Sequence, residues 1–556
     1  MIKKKLSEYT NENGFSKTEI ALLKENNLNL ENFSENFPDY NKKITLDSFL
    51  KTLTPLKNTD EFIEFVTSRK NEKFCILGDY DADGILSTEI MLIGLRKMGI
   101  DVDFVIPNRL ENGYGMKNII IDKALEKKAT VLITVDNGIG SKEQIEYALS
   151  KGISVLITDH HLPEENTTPE NVIIIDPKYN KDCFSDICGA FVAFKLIFEL
   201  LKSEKIFDNT LFKEMAVFAA IATKTDMMPI LNENRELLIG ALDYCNVLKE
   251  RNLWFGRILK IFKGLGGVFI LNNKDKIIDE NFFSFSIGPA LNAVSRIEGD
   301  VSKLVNDIYA CGERGNFLKD YLSLNNKRRK FTETLFQSLT EETEEGNISM
   351  QLINEENFDF PVKGLLGLIS NKISSEGTKK VALCGIKNGE EYEFSCRSHN
   401  QYSLHEGILK RIAAEHPELK IKGGGHKSAM GLRFSAGEGN FQLFKRLLED
   451  DFTNNVLNIE ENVFILEKEM LDEIFFVYEK FKVFGNNFEK LKFFYEGSFK
   501  SFFSTKKEIE IGDYKFLIFD KFEKEKWKNK DIKVIFNIMM NSKEGPYFKI
   551  EKIIEE

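Results

Sequence analysis

A chain of 556 residues with 42% hydrophobic and 29% charged residues has the composition of a soluble globular protein and the length for several domains with sizeable cores. Its formal net charge of −11 excludes nucleic-acid binding through overall positive charge, so any such contact has to come from local basic patches. Seven cysteines without a CxxC pair exclude a disulfide framework and a zinc ribbon, and no apolar run approaches the roughly eighteen residues of a membrane span.

The opening MIKKKLSEYTNENG has lysines but no apolar stretch behind them, so no signal peptide and no membrane attachment are expected, and the cytoplasm is the expected compartment. Residues 1–72 carry short helical patterns, SKTEIALLKENN and SFLKTLTPLK, expected to pack on the first domain. From residue 73 apolar runs of strand length alternate with helical segments: KFCIL, the helix from Ser87 to Met98, DVDFVIP, the helix from Lys117 to Lys127, VLITV, SVLIT and NVIIIDP. That alternation predicts an α/β fold with a parallel sheet, in which ligands bind beyond the carboxyl ends of the strands.

Acidic groups stand at those ends. KFCILGDYDADG stops at Asp79, Asp81 and Asp83, VLITVDNG at Asp136, and SVLITDHH at Asp159, His160 and His161. If the backbone stays extended past Leu77, period two places all three acids of the first run on one face, which suits a hard divalent cation. A calcium loop of the EF-hand kind is a poor alternative, because its twelfth position would be Ile90 where a bidentate Glu is needed.

DYDADG, VDNG and DHH, in this order and spacing, resemble the DHH phosphoesterase family, and within it the RecJ branch of single-strand-specific DNA exonucleases. PNRLENGYG, ATKTDMMP around Asp226, GPALNAVSR, CRS and GGHKSAMG resemble further signatures in family order, so the likeness covers roughly residues 70 to 435. The resemblance implies two divalent cations, Mn2+ or Mg2+, with Asp136 as the carboxylate bridging both, Asp83, His160 and Asp226 on one, and Asp81 on the other. Many members have a histidine where this chain has Leu77, so one site is expected to be weaker and to draw on water, substrate phosphate or Asp79. Asp159 and His161 are expected to orient the site and contact phosphate.

The resemblance also implies substrate contacts from Arg109, Asn292, Arg296, Arg397, Ser398, Gly424, Gly425 and His426, with at least one arginine on the terminal 5′-phosphate. His399 and His405 read as surface residues, and His416 as a helix end. The expected activity is 5′-to-3′ degradation of single-stranded DNA to mononucleotides in repair and recombination, by a monomer that meets a single-strand-binding protein or a helicase. A phosphodiesterase for short oligoribonucleotides or cyclic dinucleotides is the alternative enzyme. A replication scaffold without metals is the alternative of another class.

Helical spacing without proline from Gly315 to Glu345 predicts a long connecting helix, whose run Lys327 to Lys330 either lines a phosphate channel or forms a solvated face. The expected division is an N-terminal segment 1–72, a DHH domain 73–310, the helix 311–345, a smaller α/β DHH-associated domain 346–450, and an OB-like β-barrel 455–556. In the last, most phenylalanines are expected in the core, with Lys500, Phe502 and Lys506, or Lys526 and Trp527, facing DNA.

Overall fold

A computed structural model of the chain describes residues 2–498 apart from 41, 113–114, 163–167, 252–256, 274–275, 315–318, 340–346, 377–379, 399–401, 456–461 and 482, and beyond these 508–511, 514–518, 531–541 and 545–554. Five short strands, Phe74–Leu77, Val102–Val105, Val131–Thr134, Ser154–Thr158 and Ile173–Ile175, pair in parallel throughout. They are largely apolar because both faces of the sheet are covered, with Asp103 in the edge strand the one charged member. Phe74, Ile76, Val131, Ile133 and Leu156 turn to one hydrophobic core, shared with the helices Ala82–Lys97, Gly189–Ser203 and Asn209–Thr225. Cys75, Leu77, Leu132, Val155 and Ile157 turn to a second core under Asn118–Glu126 and Lys142–Ser150.

The order across this sheet is Val102–Val105, Phe74–Leu77, Val131–Thr134, Ser154–Thr158, Ile173–Ile175. The chain therefore steps one way from its first strand to its second and the other way from the third onward. The reversal opens a crevice at the carboxyl ends of Phe74–Leu77 and Val131–Thr134, the place where such sheets bind ligands. Asp79 to Asp83 and Asp136 follow those two strands directly.

A second sheet of five strands runs Lys422–His426, Ala429–Ser435, Glu391–Ser398, Val381–Asn388, Ile348–Leu352, antiparallel except for its last pair. Between the two sheets in sequence lies the 21-residue helix Lys319–Leu339. The third sheet has seven strands in the order Ile2–Lys4, Asn462–Ile465, Lys492–Ser498, Asp531–Asn541, Gly545–Ile554, Tyr514–Ile518, Glu508–Ile511. The aromatic-rich C-terminal segments are strands, as their alternating pattern predicts, but they share this sheet with the first residues of the chain.

That sharing divides the N-terminal segment. Leu46, Phe49, Phe62 and Phe65 join the core that the first sheet shares with its helices. Leu6, Ala21, Leu22, Phe33 and Phe37 instead form one core with Phe464, Leu471, Phe481, Phe488, Phe493 and Phe536. The physical reason is a parallel pairing of Ile2–Lys4 with Asn462–Ile465, which helical periodicity in residues 1–40 cannot reveal. Among the described residues no helix is long and apolar enough to cross a membrane.

Candidate metal centre

The backbone does not remain extended through DYDADG. It turns at Asp81, whose carboxylate caps the helix Ala82–Lys97 by accepting the N–H groups of Asp83 (3.0 Å) and Gly84 (3.1 Å). The cap gathers the three acids that simple alternation was expected to align: Asp79 in the loop, Asp81 at the cap and Asp83 in the first turn. Gly84 is required for this bend, since a Cβ there would lie 2.4 Å from the Asp79 carbonyl oxygen.

Asp83 is held from outside its own helix. Its two carboxylate oxygens accept the N–H groups of Gly189 and Ala190, each at 2.7 Å, so the positive end of the Gly189–Ser203 helix faces this charge. Gly189 also makes room for Asp136, because a Cβ there would come within 2.7 Å of the Asp136 Cβ. Asp136 itself has φ of 59°, a left-handed conformation that Asp tolerates better than most residues and that turns its carboxylate into the crevice.

His160 completes the cluster. Its Nε2 lies 3.1 Å from Asp136 Oδ1 and 3.6 Å from both Asp83 Oδ2 and Asp226 Oδ2. Three sets of ligand atoms fall within 4.8 Å of one another: Asp79, Asp81 and Asp136; Asp83, His160 and Asp226; and Asp136, His160 and His161. Asp136 thus belongs to two sets. Leu77, where a histidine stands in many DHH proteins, is wholly buried in the second core, and Asp79 is the side chain grouped with Asp81 instead.

The electrostatics call for a counter-charge. Burial, with Asp81 nearby, pushes the Asp79 carboxyl up to about 7, and the same two causes push Asp83 to about 6 despite its backbone donors. Asp136 and Asp226 are raised well above the ordinary range by removal from water and by the neighbouring carboxylates, Asp83 foremost. Asp136 Oδ1 and Asp226 Oδ2 accept no hydrogen bond. Buried acids that repel one another and keep unbonded oxygens fit divalent cations, and a set dominated by oxygen with imidazole suits manganese or magnesium.

Asp159 has a different task. It accepts from the N–H groups of Ile139 (2.9 Å) and His160 (2.7 Å) and lies 2.8 Å from His161 Nδ1. Burial alone would raise its carboxyl, but the charge and hydrogen bond of His161 bring it down to about 2. Burial likewise opposes a charged His161, and Asp159 overrides it, raising the imidazole to about 9. The pair locks the DHH turn and keeps a positive group beside the carboxylates.

A cluster of guanidiniums lies against this centre. The Arg109 guanidinium stacks 4.7 Å over the Tyr80 ring, between Asp79 and Asp81 in sequence. Burial together with Arg109, Arg397 and Arg328 holds Arg296 well below its usual range, so four guanidiniums converge on one region. Two units of the chain meet there: Arg296 Nη1 donates to the Gly364 carbonyl at 3.1 Å, and a Cβ on Gly364 would lie 2.0 Å from the Arg296 carbonyl oxygen. Mutually repelling cations with few anionic partners suit a phosphate.

Comparison with known proteins gives the chain its relatives. Residues 73–223 match the family model described as "DHH family, N-terminal domain". The chain carries a DHH domain. It is 29% identical over 404 residues to the single-stranded-DNA-specific exonuclease RecJ of Haemophilus influenzae, covering 68% of this chain and 65% of that protein, so just under two thirds of the relative's length is matched. Among solved structures, RecJ of Thermus thermophilus in complex with Mn2+ has a TM-score of 0.70 at 21% identity, over 91% of this chain and 72% of that one. An exonuclease RecJ bound to manganese gives 0.57 at 25% identity, over 71% of this chain and 94% of that one.

The structure thus brings together Asp79, Asp81, Asp83, Asp136, His160 and His161, which follow the strands, and Asp226, which ends the helix Asn209–Thr225. Asn292 lies beside the centre, where its Oδ1 accepts the Ala82 N–H at 2.8 Å and so braces the turn between Asp81 and Asp83. Ser398 is buried and donates to the Tyr402 carbonyl at 2.7 Å. Gly424 is exposed with open space where a Cβ would stand, and Gly425 has φ of 139°. His399, Lys500, Phe502, Lys506, Lys526, Trp527 and the side chain of His426 lie outside the described residues.

Sequence reading missed Gly189 and Ala190, although a glycine opening the apolar run GAFVAFKLIFELL is the available signal. It also missed Lys178, whose charge bears on Asp226 from the turn DPKYN. That turn is tied by Asp176, which accepts the N–H groups of Lys178 (2.8 Å) and Tyr179 (3.0 Å).

Proposed function

We propose that the chain is a two-cation phosphodiester hydrolase that degrades single-stranded DNA from its 5′ end, releasing mononucleotides, in DNA repair and recombination. The observation that carries this reading is the place of Asp136 at the switch point of the sheet, grouped with Asp79 and Asp81 on one side and with its Oδ1 3.1 Å from His160 of the Asp83–His160–Asp226 set on the other, since a carboxylate so placed can bridge two cations. Asp83, His160 and Asp226 would hold one Mn2+ or Mg2+, and Asp79 and Asp81 the other. When bound, such a pair acidifies a water, aligns it with the phosphorus and neutralises charge on the phosphate oxygens.

The protein's own groups do the remaining work. Gly189 and Ala190 fix Asp83, and Asn292 fixes the Asp81 turn. The Asp159–His161 pair presents a positive imidazole to a phosphate oxygen. Arg109, Arg296 and Arg397, with Arg328 beside them, form the receptor for the terminal 5′-phosphate, which sets the polarity. Lys319–Leu339 is read as the helix connecting the DHH domain to a DHH-associated domain, and the C-terminal strands as an OB-like module that grips the single strand. A monomer in the cytoplasm, working with a single-strand-binding protein or a helicase, completes the proposal.

Matched DNA and RNA strands, 5′-phosphorylated and incubated with manganese, test the substrate class. Mononucleotide release from DNA and little from RNA is expected. Preferential cleavage of very short RNAs would favour an oligoribonucleotide phosphodiesterase instead.

A further inference from the structure

Three of the carboxylates at the centre are clamped directly. Asp81 accepts the N–H groups of Asp83 and Gly84, Asp83 accepts two helix N–H groups, and Asp159 accepts three backbone N–H groups and faces His161. Asp226 has no such clamp on Oδ2, and its side chain is 28% exposed, the most open of the His160 neighbours. Its position is set by its backbone, which caps the helix Asn209–Thr225 and then passes through Met227 at φ of 57°. A residue with a side chain keeps that left-handed conformation only where its surroundings hold it.

Those surroundings come from the other end of the chain. The turn Phe484–Phe488 is gripped to the segment on both sides of Asp226. Lys224 Nζ donates to the Phe484 carbonyl at 3.1 Å, the Asn486 side-chain amide donates to the Met227 carbonyl, and the Ile230 N–H donates to the Asn486 carbonyl at 3.1 Å. The turn is itself stiff: Gly485 and Phe488 exchange two backbone hydrogen bonds of 2.9 Å, and the rings of Phe484 and Phe488 stack at 5.2 Å. Just before it, the fully buried Arg235 of the helix Asn232–Glu250 donates to the carbonyls of Phe481 and Val483 while paired with Asp39. Gly485 seats closely, since a Cβ there would come within 2.4 Å of Lys224 Nζ and 2.8 Å of Ile230 Cγ1.

We propose that the Phe484–Phe488 turn is a positioning element for the cation ligand Asp226, with Asn486 as its decisive side chain, so that the C-terminal module sets the affinity of the Asp83–His160–Asp226 site. The proposal rests on the two-cation reading above. Asn486→Asp keeps the size and removes the donor, setting an acceptor against the Met227 carbonyl. Lys480→Ala is the control, because Lys480 ties the same module to Tyr40 and Glu19 without touching the Asp226 segment.

The experiment is manganese binding to the full-length protein without DNA, followed by the electron paramagnetic resonance of free Mn2+, beside melting curves of each metal-free variant. Asn486→Asp should weaken one manganese site about fivefold or more, while Lys480→Ala, compared at equal thermal destabilisation, stays within about twofold. Should Asn486→Asp not fold, Lys224→Met removes the hydrogen bond to Phe484 and should show the same selective loss. Unchanged affinity, or equal loss in the control, overturns the positioning role. Absence of manganese binding by the unaltered protein would instead overturn the two-cation reading.

Discussion

Asp136 concentrates the demands of the centre on one side chain. It is buried, its backbone is left-handed, its carboxylate faces other acids, and one oxygen accepts no hydrogen bond. Replacing it with alanine should abolish hydrolysis, to below about one per cent of the unaltered rate, because losing the alignment of two cations costs several kcal/mol. The same change relieves repulsion among the acids, so the melting temperature of the metal-free protein should hold or rise. Turnover with manganese beside a metal-free melt checks both; appreciable residual activity would deny the bridging role.

The crowded carboxylates also make a pH prediction. Asp83 and Asp79 titrate near 6 and 7 in the folded cluster against about 3.8 for an ordinary Asp, so folding favours their protonated forms. A raised carboxyl contributes stability that is fully present below the unfolded value and lost as pH rises through the folded one, each unit being worth roughly 1.4 kcal/mol. The metal-free protein should therefore melt lower at pH 8 than at pH 5, and manganese should reverse most of that loss. A metal-free melting temperature that is flat or rises across this range would contradict the electrostatic account.

At the scale of elements, the strands of the first sheet were legible because both of their faces are buried, which turns them into short, largely apolar runs. Their ends were legible because acids and histidines cluster just past three of these runs in close succession. The route to Asp83 was not, since period two gives no hint that Asp81 caps a helix or that a second helix opening at Gly189 holds the carboxylate. Nor was the parallel pairing of Ile2–Lys4 with Asn462–Ile465, because a three-residue strand carries no pattern that names a partner hundreds of residues away.

The helix Lys319–Leu339 resolves one question that charge pattern left open. Lys327, Arg329 and Lys330 are exposed, whereas Arg328 is half-buried, bonded to Asn325 at 3.0 Å and close enough to Arg296 to depress it. The basic run is thus a solvated face with one member turned to the guanidinium cluster. Arg328→Gln should weaken single-strand binding and remove roughly 0.7 from the slope of log affinity against log salt, and Arg329→Gln should change the slope much less. Equal effects from the two variants would place the strand on the outer face of the helix.

At the scale of the whole molecule, net charge and function are reconciled by placement. A chain of charge −11 sets a cluster of buried carboxylates at the ends of one sheet and gathers Arg109, Arg296, Arg328 and Arg397 where the DHH domain meets the unit that contains Gly364. That contact is backbone against backbone, with no room for even a methyl group at Gly364, so the two units approach closely beside the centre. Under the proposed function, this close and locally basic approach would select single strands, and capture of the terminal phosphate would set the polarity.

The most direct test follows one long DNA strand, labelled at either end, as the protein degrades it with manganese, alone and annealed as a blunt duplex. A 5′-labelled single strand should lose its label at once as a mononucleotide, the 3′-labelled strand should shorten progressively, the blunt duplex should persist, and Asp136→Ala should degrade neither strand. Release of the 3′ label first, internal fragments, or ready degradation of the blunt duplex would contradict the proposed function.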